Sequence, residues 1–216
     1  MTATDPNLEP LAKAVIDGDQ AAATSLTSAF LAAGRGAREL LDAALLPAMD
    51  EVGARMREGE IFIPEVLLSA RVMQACLDLL KPHLAAGERA ATGTVVIGTV
   101  EGDLHDIGKN LVAMLLEGAG FEVVNLGTGV TASQFVEAAR EHGADVVGMS
   151  ALLTTTMPHM RETIAALDEA GLRGKVKVMV GGAPVTAAWA KEIGADGYGS
   201  NAAEAVEEAK KLVGAA

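Results

Sequence analysis

Residues 94–116, TVVIGTVEGDLHDIGKNLVAMLL, decide the fold. Thr94–Val100 is a β-branched apolar run with the length of a buried strand, and Leu111–Leu116 reads as the apolar face of a helix. The turn between them, EGDLHDIGKN over 101–110, carries acids, glycines and a histidine. A buried strand handing over to a helix predicts a parallel sheet. The turn then lies at the carboxyl end of a strand, where open α/β sheets bind their ligands.

Toward the C-terminus the same alternation repeats. Strands are expected at FEVVNLG (121–127), DVVGMSA (145–151), VKVMVGG (176–182) and DGYG (196–199). Helices are expected at GKNLVAMLLEGAG, TASQFVEAAREHG, MPHMRETIAALDEAG, PVTAAWAKEIG and AAEAVEEAKKLV. Apolar strands interleaved with amphipathic helices predict a doubly wound, Rossmann-like (flavodoxin-like) α/β domain over 94–216.

Toward the N-terminus the grammar changes. Residues 8–86 contain no strand pattern. Leu8, Leu11, Val15 and Ile16 mark a helix ended by Gly18. Asp19 is a natural N-cap for a second helix closed by Gly34. A third is expected from about Ala37 to Arg57, kinked or divided by Pro47. A fourth is expected from Pro64, which suits a first helical turn. The expectation is a four-helix bundle over 1–86. Residues 85–93, AAGERAATG, are small, polar and unpatterned, and the linker is placed at 87–93.

Composition narrows the function. The chain has 216 residues, half of them hydrophobic but only 3% aromatic, so its cores are aliphatic. A formal charge of −12 argues against nucleic acid and against an anionic membrane surface as partners. No apolar run reaches the roughly 20 residues of a bilayer span, and MTATDPNLEP lacks the apolar core of an export signal. The single cysteine, Cys76, sits in an apolar helical pattern and reads as core packing. A cytoplasmic location is expected.

Gly108-Lys109-Asn110 lacks the P-loop spacing, and no Gly-x-Gly-x-x-Gly follows the first strand, which argues against a dinucleotide. What remains is Asp103-x-His105-x-x-Gly108. An Asp two residues before a His can bind one ring nitrogen and leave the other for a metal or a proton. The same residues also read as a surface His beside a helix-capping Asp. Three further strand ends carry small or hydroxyl residues: Ser150–Thr156, Val180–Ala183 and Tyr198–Asn201. His83, His142 and His159 read as helix-end or surface residues, and with Cys76 remote they form no zinc-type set.

GDLHDIGKN, SALLTTTMP, VGGAPVT, GADGYGSNA and, in the bundle, GEIFIPEVLLSARVM together resemble the corrinoid proteins of methylamine, methanol and aryl-ether methyltransferase systems. They are similar also to the cobalamin region of methionine synthase. The resemblance covers about residues 8–213. It implies a cobalamin, methylcobalamin or related corrinoid whose own base leaves cobalt and is buried in the domain, with His105 as the lower cobalt ligand. Asp103 would be the hydrogen-bond partner of His105, and Thr156 the hydroxyl that completes a relay; methionine synthase has Ser there. Gly102, Leu104, Asp106, Ile107 and Gly108 would form the cofactor-binding turn. Ser150 and Leu152 would line the tail pocket, with Thr154 nearby. Gly181, Gly182 and Ala183 would flank the tail, and Tyr198, Asn201 and Ala202 would border the corrin and nucleotide loop. The resemblance also implies that the helical bundle caps the upper face of the cobalamin; Met56 and Ile63 match two apolar positions of that cap, the first of which is aromatic in methionine synthase.

By the same resemblance, the chain carries a methyl group from a substrate-specific methyltransferase to an acceptor methyltransferase that uses a thiol or a tetrahydropterin. A reductive activation protein is a further implied partner, and the linker is implied to act as a hinge. The methyl donor stays open. Two other functions use similar modules: a cobalamin-sensing regulator and the small subunit of an adenosylcobalamin mutase. Such regulators carry a DNA-binding element ahead of the bundle, whereas here the first helix begins near residue 8 and the charge is acidic. The N-terminal bundle argues against the mutase subunit.

Overall fold

A computed structural model describes residues 8–83 and 92–215. The chain divides into two compact units, residues 1–91 with 117–120 and residues 92–116 with 121–216. Of the linker expected at 87–93, residues 87–91 lie outside the described residues.

In the helical unit, α1 (Glu9–Ile16), α2 (Gln20–Ala32), α3 (Ala37–Leu40), α4 (Leu46–Glu58) and α5 (Ile63–Leu80) make four helical rods, because α3 and α4 are joined by a π-helical turn, Leu41–Leu45. That turn is the response to Pro47, expected as a kink or a stop. Proline lacks an N–H and its ring collides with the carbonyl four residues back. The π-turn just ahead of it, closed by Leu46 N–H donating to Leu41 O, widens the backbone and lets the helix continue. Asp19 caps α2 by accepting from Ala22 N at 3.0 Å, as its position predicts. Helix α1 packs on α2 and α4, and α5 packs on the same two. Leu11, Leu40, Leu45, Val52, Met73 and Leu80 fill the centre. Cys76 is fully buried there, and burial pushes its thiol up.

The sheet unit alternates β1 (Thr94–Thr99), α6 (Ile107–Gly118), β2 (Glu122–Asn125), α7 (Ala132–Glu141), β3 (Val146–Ser150), α8 (Pro158–Glu169), β4 (Lys177–Gly181), α9 (Ala187–Glu192), β5 (Gly197–Gly199) and α10 (Ala202–Val213). Among the described residues the strands form one parallel sheet in the order β2-β1-β3-β4-β5. This is the flavodoxin-like order, whose direction of winding reverses between β1 and β3. Alternate residues serve opposite faces. Val96, Val147 and Val178 pack with Phe135 of α7, Met160 of α8 and Ala190 of α9 in one core. Their neighbours Ile97, Gly148 and Met179 face the other way, toward α6 and α10. No helix among the described residues is long and apolar enough to cross a membrane.

Candidate functional site

The winding reversal brings the ends of β1 and β3 side by side, with Thr99 paired to Ser150 and Val100 N donating to Ser150 O at 3.0 Å. The chain leaves β1 through a tight turn in which Asp103 N donates to Val100 O, with Gly102 at φ +77°. This geometry drives the Asp103 side chain inward until it is fully buried. A buried carboxylate needs partners, and donors converge on this one. Oδ1 accepts from His105 N at 3.1 Å and lies 2.7 Å from His105 Nδ1. Oδ2 accepts from Leu152 N at 2.7 Å, from Leu153 N at 3.2 Å and from the Thr156 hydroxyl at 2.9 Å. Burial alone would raise the Asp103 pKa; the hydrogen bonds from Leu152 N, His105 and Thr156 outweigh it and hold the carboxyl well below its ordinary range.

An ionised carboxylate only accepts, so Nδ1 of His105 carries a proton, and in the neutral imidazole Nε2 is then the nitrogen with the lone pair. The imidazole is half exposed, at 52%. Its backbone is held from below by the Thr99 hydroxyl, which donates to His105 O at 2.8 Å. The Asp103–His105–Thr156 constellation inferred from the sequence is therefore assembled in space. The two backbone amides at Leu152 and Leu153 were not legible in the sequence, because only tertiary folding brings them to Asp103.

Beside His105 opens a cavity of about 550 Å³ within the sheet unit. Its mouth takes in Leu104, Asp106, Ile107 and Gly108 from the first turn, and Ser150 and Leu152 from the end of β3. Gly181, Gly182, Ala183, Asn201 and Ala202 line its other side. These are the expected positions. Gly182 is obligatory: its φ is +126°, and a Cβ there would lie 1.9 Å from Ala151 O. Leu104 and Ile107 are 79% and 87% exposed, an apolar surface around the imidazole that a large flat ligand would cover.

Other expected residues lie elsewhere. Gly102, Asp103 and Thr156 stand behind His105, and Thr154 is exposed; none of the four lines the cavity. Tyr198 is half-buried and donates from its hydroxyl to Val185 O at 3.0 Å, so it braces the loop after β4 and does not line the cavity. Met56 in α4 is half-buried, and Ile63 opens α5 partly exposed. Both belong to the helical unit.

The structure also adds residues. Ile97, Gly148 and Met179 line the cavity from the sheet, with Leu111 and Val112 from α6. Strand alternation was the available signal for the sheet residues. Lys109, set aside in sequence once a P-loop was ruled out, is buried and clasped by Asn110 Oδ1 at 2.5 Å and Asn125 Oδ1 at 2.6 Å. Burial lowers its pKa, opposed by Asp106.

Among the described residues no group of three His, Cys, Asp or Glu side chains gathers to hold a bare ion. A single oriented imidazole beside an apolar slot suits a metal whose remaining positions are filled by a macrocycle. Two models, each described as a B12 binding domain, match residues 93–207 and 8–81. The chain is 42% identical to a corrinoid protein of Desulfitobacterium hafniense over 96% of its own length and 97% of the relative's. It is 44% identical to dimethylamine corrinoid protein 1 of Methanosarcina mazei over 99% of both chains. Among solved structures it resembles the methanol:cobalamin methyltransferase complex of Methanosarcina barkeri, with a TM-score of 0.85 and 32% identity, covering 100% of this chain and 83% of that one. The family matches, the full-length relatives and the fitted site agree: this chain belongs to the B12-binding family and is a corrinoid protein of methyltransferase systems, with a cobalamin-type cofactor.

Proposed function

We propose that this protein carries a methyl group between a substrate-specific methyltransferase and an acceptor methyltransferase, on a corrinoid held base-off with His105 beneath the cobalt. When bound, the corrinoid supplies a cobalt centre that accepts and releases the methyl group. The chain's own residues tune that centre. The observation that carries the reading is the bond between His105 Nδ1 and the buried Asp103 carboxylate, which leaves Nε2 as a donor at the cavity mouth. A carboxylate partner strengthens the imidazole as a metal ligand and fixes its orientation. Thr156 hydrogen-bonds the far carboxylate oxygen, so Asp103 and Thr156 offer a path for a proton toward His105 whenever the imidazole is released. The acceptor is assigned by resemblance to a thiol or tetrahydropterin enzyme, with a reductive activation protein as a further partner.

The test is His105→Gly in the full chain. Loaded with Co(II) corrinoid, the native protein should show one nitrogen coupling in electron paramagnetic resonance that responds to 15N-histidine labelling. The variant should lose that coupling, and methyl transfer with a partner methyltransferase should fall at least about tenfold, with added imidazole restoring part of it. An unchanged coupling and unchanged transfer would refute the role of His105.

A further inference from the structure

We infer, on the proposed reading that His105 is the lower cobalt ligand, that Lys109 is a positioning residue for it. The buried ammonium, clasped between Asn110 and Asn125, fixes the far end of the turn that carries the imidazole.

From Leu104 to Gly108 the chain is exposed, with His105 in the middle of the run. The residues that bound this run, Asp103 and Lys109, are both charged and both buried, at 0% and 3% exposure. An exposed segment is ordered only as well as its ends are held. Asp103 anchors the first end through its bonds to Leu152 N and the Thr156 hydroxyl. Lys109 stands at the second end, in the first turn of α6.

Apolar packing does not secure that second end. The cavity opens between Leu111 and Val112 of α6 and Ile97 and Gly148 of the sheet. The first buried apolar residue of the helix is Ala113.

A ring of side chains holds it instead, and the directions of its bonds are fixed. Asn125, at the end of β2, accepts from Gly127 N through Oδ1 at 3.1 Å, so its amide nitrogen donates to Asn110 Oδ1 at 3.0 Å. Asn110 gives its own nitrogen to the Asp106 carboxylate at 2.9 Å. Both Oδ1 atoms therefore face Lys109 Nζ, at 2.5 and 2.6 Å. The ring ties α6 to the loop after β2. That loop is fastened in turn to β1, where Thr99 N donates to Gly127 O at 3.0 Å, and to the turn itself, where Gly129 N donates to Asp103 O at 3.0 Å. One loop, residues 125–129, thus holds both ends of the His105 turn.

An ammonium is costly at such a place. Held by neutral amide oxygens, it loses hydration that an apolar side chain of equal length would never have had. What it supplies is geometry, since several donors on one nitrogen draw two segments to a set separation.

The test uses Lys109→Met, of similar length and without donors, and Asn125→Ala, which removes the acceptor on the β2 side. Each full-length protein, labelled with 15N-histidine, is loaded with Co(II) cobalamin. Electron paramagnetic resonance then gives the ratio of cobalt coupled to a histidine nitrogen to cobalt without that coupling. Both variants should bind the cofactor with this ratio lowered at least about fivefold. Unlabelled imidazole should add a 14N coupling to the variants that native protein does not acquire. Urea unfolding of the cofactor-free proteins, followed by Trp189 fluorescence, checks that the sheet unit still folds. Should Lys109→Met fail to fold, Asn125→Ala, at an exposed position, carries the same expectation by itself. Folded variants with the native ratio would overturn the inference, because a merely structural lysine costs stability and leaves coordination alone. A fall in Lys109→Met that Asn125→Ala does not share would overturn the clasp as its cause. Native protein without histidine coupling would instead overturn the reading of His105 as the ligand.

Discussion

Asp103 shows how one residue can carry a site. Two donors from the His105 turn and three from the β3–α8 loop meet on its two oxygens, which are closed off from bulk solvent. An amide cannot replace it. Its one oxygen could serve either His105 or the Leu152 amide, while its NH2 would face donors on the other side. Asp103→Asn should cost about 2–3 kcal/mol in urea unfolding and reduce methyl transfer about 10- to 100-fold through a misaligned His105. The pH dependence has a defined sign. The folded pKa lies below the unfolded one, so the carboxylate's stabilisation is fully present above the ordinary Asp range and is lost as pH falls through the folded value. The stability gap between native protein and Asp103→Asn should be constant from about pH 5 upward and close in more acidic solution. A gap that widens on acidification would contradict this. The Asp103–His105 pair was legible because both stand on one turn, whereas Thr156 was joined to it only through the family resemblance. The Leu152 and Leu153 amides were hidden, since no spacing rule links them to a residue about fifty positions away.

At the scale of elements, strand ends and their glycines shape the cavity. Gly182 reaches its φ of +126° so that the chain can turn past Ala151 at the end of β3. Gly182→Ala combines a disfavoured backbone with a collision against Ala151 O, and the loop after β4 has no flexible side chain there to move aside. A loss of at least about 2–3 kcal/mol is expected by chemical denaturation, and a variant of native stability would show that the loop relaxes freely. The sequence marked Gly181-Gly182 as a place without side chains, and the structure gives the reason at Gly182. Gly148 was not singled out in the sequence, because a glycine within an apolar strand reads as tolerated until the register of β1, β3 and β4 places it over the slot. Pro47 illustrates the same limit in the helical unit. Proline chemistry announced a disturbance, while the π-turn at Leu41–Leu45 depended on α3–α4 keeping its buried face in the bundle.

At the scale of the molecule, the cavity lies within the sheet unit. The single tryptophan, Trp189, lies in α9, so its fluorescence reports unfolding of that unit. A ligand bound only by the folded state adds about 2.7 kcal/mol at a hundred times its Kd. Cobalamin at that excess should raise the stability read from Trp189 by this amount, and Gly148→Ala should forfeit most of the gain at the same concentration. A Trp189 transition indifferent to cobalamin would remove the cavity from the binding site. The sequence by itself determined the order of elements, the division into helical and alternating halves, and the place of the His105 turn at the end of the first strand, because each follows from local periodicity and turn chemistry. Tertiary structure alone decided which donors hold Asp103, that Tyr198 braces a loop, and that Ile97, Gly148 and Met179 form an apolar floor. Those facts depend on strand order and register, which arise when distant segments compete to bury the same apolar surface.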